Sequence, residues 1–207
     1  MLKSSILLAA VAAVALAHHE APVELRAITR LDGQGITGNI TFTQLPDGKV
    51  HVAGTIYGLP PGQYGFHVHE KGDITGGCAS TGSHFNPEHK DHGHPNDENR
   101  HVGDLGNVVF NEQHYAYIDF VDGKISLVGP HCILGRGVVL HEKEDDFGRS
   151  SHPDSRKTGN AGGRVACGVI GLLDSIYSGW STTGGSSILS STFTSAVFIT
   201  TVFTLVF

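Results

Sequence analysis

The chain reads as an all-β domain, a Greek-key antiparallel sandwich or barrel with two long functional loops. Three observations predict this. Several short segments alternate apolar and polar residues with a period of two, the mark of strands with one buried face. Glycine is frequent, 28 of 207 residues, which suits many turns better than long helices. Lys71 to Gly106 and His141 to Gly163 carry neither a helical nor a strand period, and loops that long in a compact domain are functional or stapled.

Taken in order, residues 1–17 have the form of a signal peptide. A basic Lys3 precedes an apolar run from Ile6 to Ala17, and Ala15 and Ala17 match an A-x-A cleavage site, so the mature chain begins near His18. The domain is assigned to residues 18–175, with β patterning from Glu24. Ile36, Gly38, Ile40 and Phe42 alternate with Thr37, Asn39, Thr41 and Thr43; Pro46-Asp47-Gly48 supplies a turn; Val50, Val52, Gly54 and Ile56 alternate again. That is a hairpin. In Gly65-Phe66-His67-Val68-His69-Glu70, strand alternation puts His67 and His69 on one face and Val68 on the other. Ala116, Ile118 and Phe120 alternate with Tyr115, Tyr117 and Asp119 before a turn at Asp122-Gly123, and the apolar Val138 to Leu140 feeds into His141. Residues 176–192 form a Ser/Thr/Gly-rich linker, and 193–207 an uncharged apolar tail of 15 residues. The tail is short for a membrane-spanning helix. Small residues, a polar spacer and a terminal apolar tail match a GPI signal, with attachment within Ser181 to Gly185. The membrane is thus expected as a partner only through a lipid anchor at the cell surface.

Charged residues make up 16% of the chain and the net charge is −6, so no basic footprint points to nucleic acid. An enzyme of this charge acting on an anion needs local positive steering. Of the three cysteines, Cys78 lies in the first long loop and Cys167 follows the second, leaving Cys132. A Cys78–Cys167 bridge would close a very long loop and stabilise by roughly 4–5 kcal/mol on the chain-entropy model; other pairings stay open at this level. No activating neighbours surround Cys132, which reads as a free thiol. Asn39-Ile40-Thr41 is a glycosylation sequon.

Six histidines and an aspartate follow in one ordered run: His67, His69, His84, His92, His101, Asp104 and His141. His84, His92, His101 and Asp104 make a His3Asp set, four ligands for a tetrahedral zinc. That leaves His67, His69 and His141 for a second metal. An imidazole has two nitrogens, and His84, between the two groups in sequence, is the natural residue to face both ions. His89 and His94 read as bystanders.

These residues lie in GFHVHEKGD (Gly65 to Asp73), GSHFNP (Gly82 to Pro87), RHVGDLGNV (Arg100 to Val108) and GNAGGRVACGVIG (Gly159 to Gly171). By these motifs, in this order, the chain resembles the copper/zinc superoxide dismutases of the secreted type across about Glu24 to Leu172. The resemblance implies dismutation of superoxide to dioxygen and hydrogen peroxide by a redox-cycling copper bridged through His84 to a structural zinc. It implies copper on His67, His69, His84 and His141, zinc on His84, His92, His101 and Asp104, and His84 as proton carrier. Asp145 matches a carboxylate linking His67 to His92. Cys78 and Cys167 match the family's internal disulfide, and Arg164 its substrate-guiding arginine. Lys143, Lys157 and Thr158 match positions lining or flanking the substrate channel. Pro153-Asp154 departs from the two glutamates often found in the steering loop. Gly72-Asp73, Leu134-Gly135 and Val169-Ile170-Gly171 match dimer-contact segments, so a homodimer is implied.

Three rival readings fit these residues less well. A copper-delivery protein's dismutase-like domain needs neither a full copper set nor Arg164. The copper-only extracellular branch lacks the zinc ligands. A non-catalytic adhesion protein has no use for an intact copper set.

Overall fold

The computed structural model describes residues 24–176; the signal peptide, most of the linker and the apolar tail lie outside them. Nine strands follow one another: β1 (Glu24–Gly33), β2 (Ile36–Gln44), β3 (Val50–Tyr57), β4 (Gly62–His69), β5 (Asp104–Phe110), β6 (Tyr115–Asp122), β7 (Gly137–His141), β8 (Arg164–Val169) and β9 (Gly171–Ile176). All pair antiparallel. The order β2-β3-β6-β5-β4-β7-β8-β1 closes on itself through the β1–β2 pairing, making an eight-stranded barrel with β9 added along β1. Closure leaves no barrel edge open to foreign strands.

The expected hairpin is present. Gly38 sits opposite Ile56, and Phe42 opposite Val52. Ile36, Ile40, Phe42, Val52 and Ile56 are buried in the barrel core with Ala116 and Ile118 of β6. Gly54 occupies an inward position because a Cβ there would lie 2.1 Å from the Asn39 carbonyl oxygen.

Strands β1, β5, β8 and β9 lack the pattern that marks β2 and β3. In β1 the buried row runs Ala27, Thr29, Leu31, so a polar residue breaks the apolar period. Asp104, Leu105 and Gly106 at the start of β5 are all buried, as are Ala166, Cys167 and Gly168 in β8. Where loops cover the outer face of a strand, both faces are enclosed and alternation disappears. The two long loops are likewise not wholly irregular. The first holds a 3-10 turn at Gly77–Thr81 and its end becomes β5; the second holds a four-residue helix α1 (Ser155–Thr158) that stops at Gly159, φ +67°. Cys78 in that turn is bonded to Cys167 on β8, with 5.6 Å between Cα atoms. Cys132 is a half-buried free thiol whose Sγ donates to the Leu127 carbonyl at 3.1 Å. Among the described residues no helix is long and apolar enough to cross a membrane.

Candidate metal centre

Alternation along β4 sends Phe66 and Val68 into the core and turns His67 and His69 outward beneath the loops, where they are nonetheless buried. Strand β7 lies alongside, Phe66 opposite Leu140 and His69 opposite Gly137, and ends on His141. The loop is laced to β4 by backbone. Phe85 N–H donates to Val68 O at 2.8 Å, Val68 N–H to Gly103 O at 2.9 Å, and His84 forms a bridge with His69. Two compact groups result, His67-His69-His84-His141 and His84-His92-His101-Asp104, whose nearest potential ligand atoms all lie within 4.8 Å of one another.

Tautomers follow from the carbonyl and carboxylate partners. His69 Nδ1 donates to Gly82 O at 2.8 Å and His141 Nδ1 to Gly162 O at 3.2 Å, so the Nε2 atom of each carries a lone pair. These two acceptors face each other at 3.3 Å. His67 Nε2 donates to Asp145 Oδ2 at 2.8 Å, which leaves His67 Nδ1 bare; it and His84 Nε2 are buried with no hydrogen-bond partner among the described residues. Four buried lone pairs pointing at one another are costly unless a cation lies between them.

In the second group three imidazole nitrogens converge on one oxygen. Nδ1 of His84, His92 and His101 lie 2.9, 2.9 and 3.0 Å from Asp104 Oδ1. His92 Nε2 donates to Asp145 Oδ1 at 2.7 Å, and its Nδ1 lies buried against Asp104 Oδ1. Asp104 Oδ2 accepts the His101 and Gly93 backbone N–H groups, which aims Oδ1 at the imidazoles. The donor set fits zinc. His84 presents Nε2 to one group and Nδ1 to the other.

The two groups differ in charge. Burial, and then the facing His84, hold the His141 pKa down at about 4; the same causes press His69 and His67 far below the ordinary imidazole value. Burial also pushes His92 down, but hydrogen bonds and charge from Asp104 and Asp145 outweigh it and hold His92 up at about 9. Burial pushes Asp104 up, yet its three imidazole partners bring it well below the usual carboxylate range.

Asp145 spans the groups, one oxygen on His67 and the other on His92. Asn107 clamps its backbone, accepting Asp145 N–H at 2.8 Å and donating to Asp145 O at 2.9 Å. Beneath the second group, buried Arg100 donates to Asp104 O at 2.7 Å and pairs with Asp122. Neither clamp is visible in residue type alone, although both Arg100 and Asn107 fall inside the RHVGDLGNV motif. His89 is exposed, and His94 packs on Phe147 with ring centroids 4.6 Å apart.

The family description "Copper/zinc superoxide dismutase (SODC)" matches residues 36–170. The chain belongs to the copper/zinc superoxide dismutase family. It is 54% identical over 142 residues to the extracellular superoxide dismutase [Cu-Zn] of Drosophila melanogaster, covering 68% of this chain and 78% of that protein. It is also similar to the crystal structure of the clock protein EA4, with 75% identity and a TM-score of 0.72 over 75% of this chain and 99% of that one. As a family member this extracellular dismutase converts superoxide to dioxygen and hydrogen peroxide with copper and zinc.

In this dismutase a cavity of ≈ 520 Å³ opens over the first group, with His69, His84 and His141 in its lining. Its cations are Lys90, Arg156, Lys157 and Arg164; Asp91 is its acid, and Thr158 also lines it. Arg164 Nη1 donates to Cys78 O at 2.8 Å, Ala79 O at 3.2 Å and Thr81 Oγ1 at 2.9 Å, so the disulfide-bonded turn holds the guanidinium. Lys143 stands outside the lining, with its Nζ 3.8 Å from Glu142. Lys90 and Arg156 escaped sequence reasoning because no period orders the two long loops that carry them; the sign available for Arg156 was its adjacency to Lys157 just before Gly159. Of the three further segments singled out, Gly72, Gly135 and Val169 are neighbours, since a Cβ on Gly72 would meet Gly135 O and Val169 Cγ1. Val169 and nearby Ile74 are exposed.

Proposed function

We propose that His67 Nδ1 and the Nε2 atoms of His69, His84 and His141 hold copper. Zinc lies on the Nδ1 atoms of His84, His92 and His101 and on Asp104 Oδ1. When bound, copper supplies one-electron chemistry and zinc a fixed positive charge. The observation that carries the reading is the pair of lone-pair nitrogens, His69 Nε2 and His141 Nε2, facing each other at 3.3 Å. Arg164 draws the anion into the cavity beside His84 and His141, its charge permanent and its fork of donors suited to an oxyanion. Lys157, Arg156 and Lys90 add positive potential at the mouth, and Thr158 shapes it. His84 Nε2 is the atom at which a proton is taken up and passed to the product, while Nδ1 keeps the ring in place. Asp145 fixes the tautomers and ring planes of His67 and His92.

The test is to load the secreted protein with both metals and compare superoxide consumption with that of Arg164→Ala. A protein that binds both metals and consumes no superoxide overturns the residue assignment.

The same reading extends to processing and assembly. Residues 1–17 are removed, 18–175 fold as the enzyme domain, the linker from 176 to an attachment residue within Ser181 to Gly185 forms a tether, and all that follows that residue, the 193–207 tail included, is exchanged for a GPI anchor. Phospholipase treatment of cells should then release activity, and retention would count against the anchor. Asn39 carries an N-linked glycan, supported by its exposed position on β2. A homodimer forms through Gly72, Leu134-Gly135 and Val169, supported by the exposed apolar side chains around them, and is checked by sedimentation.

A further inference from the structure

Antiparallel partners project to the same face of a sheet. On the outer face of the barrel, Asn39 of β2 lies opposite Arg30 of β1 on one side and Thr55 of β3 on the other, and Thr55 lies opposite Tyr117 of β6. One row therefore reads Arg30, Asn39, Thr55, Tyr117. The next row outward brings Tyr57 opposite Tyr115, with ring centroids 5.9 Å apart.

The two directions away from Asn39 differ. Toward β1, Arg30 is engaged with Asp32, Nε to Oδ2 at 3.0 Å, which makes a charged and hydrated border. Toward β6, the path crosses Thr55, with Ala53 beside it, and ends on tyrosines. Tyr117 is 69% exposed and Tyr57 50%. Exposed aromatic area of this kind on a monomer marks a contact surface. Nothing on this face belongs to the metal cavity or to the Gly72–Val169 patch.

We propose that the Asn39 glycan lies across β3 and packs its second sugar ring on Tyr117, with Tyr57 bordering the contact. This rests on the reading that Asn39 is glycosylated. Two strand spacings, about 10 Å, separate Asn39 from Tyr117 along the row. A β-linked pair of N-acetylglucosamine rings covers that span, with the first ring over the small side chain of Thr55. A pyranose has an apolar C–H face and a polar rim. The flat face of a tyrosine accepts the first, and its hydroxyl accepts hydrogen bonds from the second. The sugar is added to an unfolded chain, so its site must later face solvent. Thr41, the third residue of the sequon, then turns its hydroxyl to Ala53 O at 3.0 Å. The glycan becomes part of the barrel's outer surface and covers an aromatic strip that would otherwise invite self-association.

The experiment uses the full protein secreted from glycosylating cells. Intact and peptide masses first establish the glycan on Asn39. Tyrosine nitration by tetranitromethane is then followed residue by residue, before and after enzymatic removal of the glycan from the folded protein. The glycan should protect Tyr117 about fivefold and Tyr57 less, and leave Tyr64, on the far strand β4, unchanged. In Tyr117→Ser, glycosidase should release the sugar from the folded protein about fivefold faster, with no change in unfolded protein or in superoxide consumption. Equal nitration of Tyr117 in both forms, with the glycan present, overturns this inference alone. Absence of the glycan overturns the Asn39 reading as well. Protection that grows with protein concentration assigns the face to a second copy of the chain and overturns the proposal.

Discussion

The two halves of the metal centre share His84 and differ in almost everything else. One is a ring of imidazoles that burial keeps neutral, open to a cavity lined by cations. The other gathers three imidazoles on a buried carboxylate and retains a proton on His92 up to about pH 9. A neutral ligand set tolerates an ion whose charge changes by one unit. A set containing a buried carboxylate demands a constant cation, because an uncompensated buried charge costs several kcal/mol. The proposed division between a redox half and a structural half thus follows from which side received Asp104.

The sharpest way to break the comparison is Asp104→Asn. It should cost zinc about 3–5 kcal/mol, roughly 10²- to 4 × 10³-fold in affinity, while copper stays bound; equal loss of both metals in chelator titrations would erase the distinction. Next comes the metal-free protein against pH. His92 binds its proton more tightly folded than unfolded, so its contribution, at most about 3 kcal/mol, is complete below pH 6.5 and lost as pH rises toward 9. His141, held down at about 4, acts oppositely: unfolding is favoured as pH falls from 6.5 toward 4. Denaturant midpoints should therefore peak near pH 6.5, and zinc alone should remove the alkaline limb by taking the proton's place. A smaller effect is expected of Asp145→Asn, which touches both halves and should weaken both metals by about 10–100-fold. Smallest is Arg156→Ala, which keeps the Arg156 carbonyl that accepts His92 N–H at 2.9 Å. It should lower kcat/KM about threefold, with a weaker dependence on ionic strength and metal content unchanged.

Parts of this were legible in sequence for a physical reason. His67 and His69 stand two apart on a strand, where period two dictates a common face, and the β2–β3 hairpin shows the same period around Pro46-Asp47-Gly48. The spacing from His84 to Asp104 carries no period, so only residue type and motif order spoke for it. Strands β1 and β8 were hidden because Thr29 interrupts one buried row and loops enclose both faces of the other. Lys90 and Arg156 were missed because charge on a loop says nothing of where it is turned. Arg100 and Asp122 form a pair 22 residues apart, joined by barrel closure, a long-range event with no local mark. Lys143 illustrates the converse: proximity to His141 in sequence does not bring it into the cavity lining.

The grip on Arg164 has a consequence for timing. Two of the oxygens that hold its guanidinium are backbone carbonyls of Cys78 and Ala79, and that turn is moored to β8 by the Cys78–Cys167 bond. The bearing of the proposed guiding charge is therefore coupled to the redox character of the surroundings. Export into an oxidising space thus favours the bond that moors the turn holding Arg164.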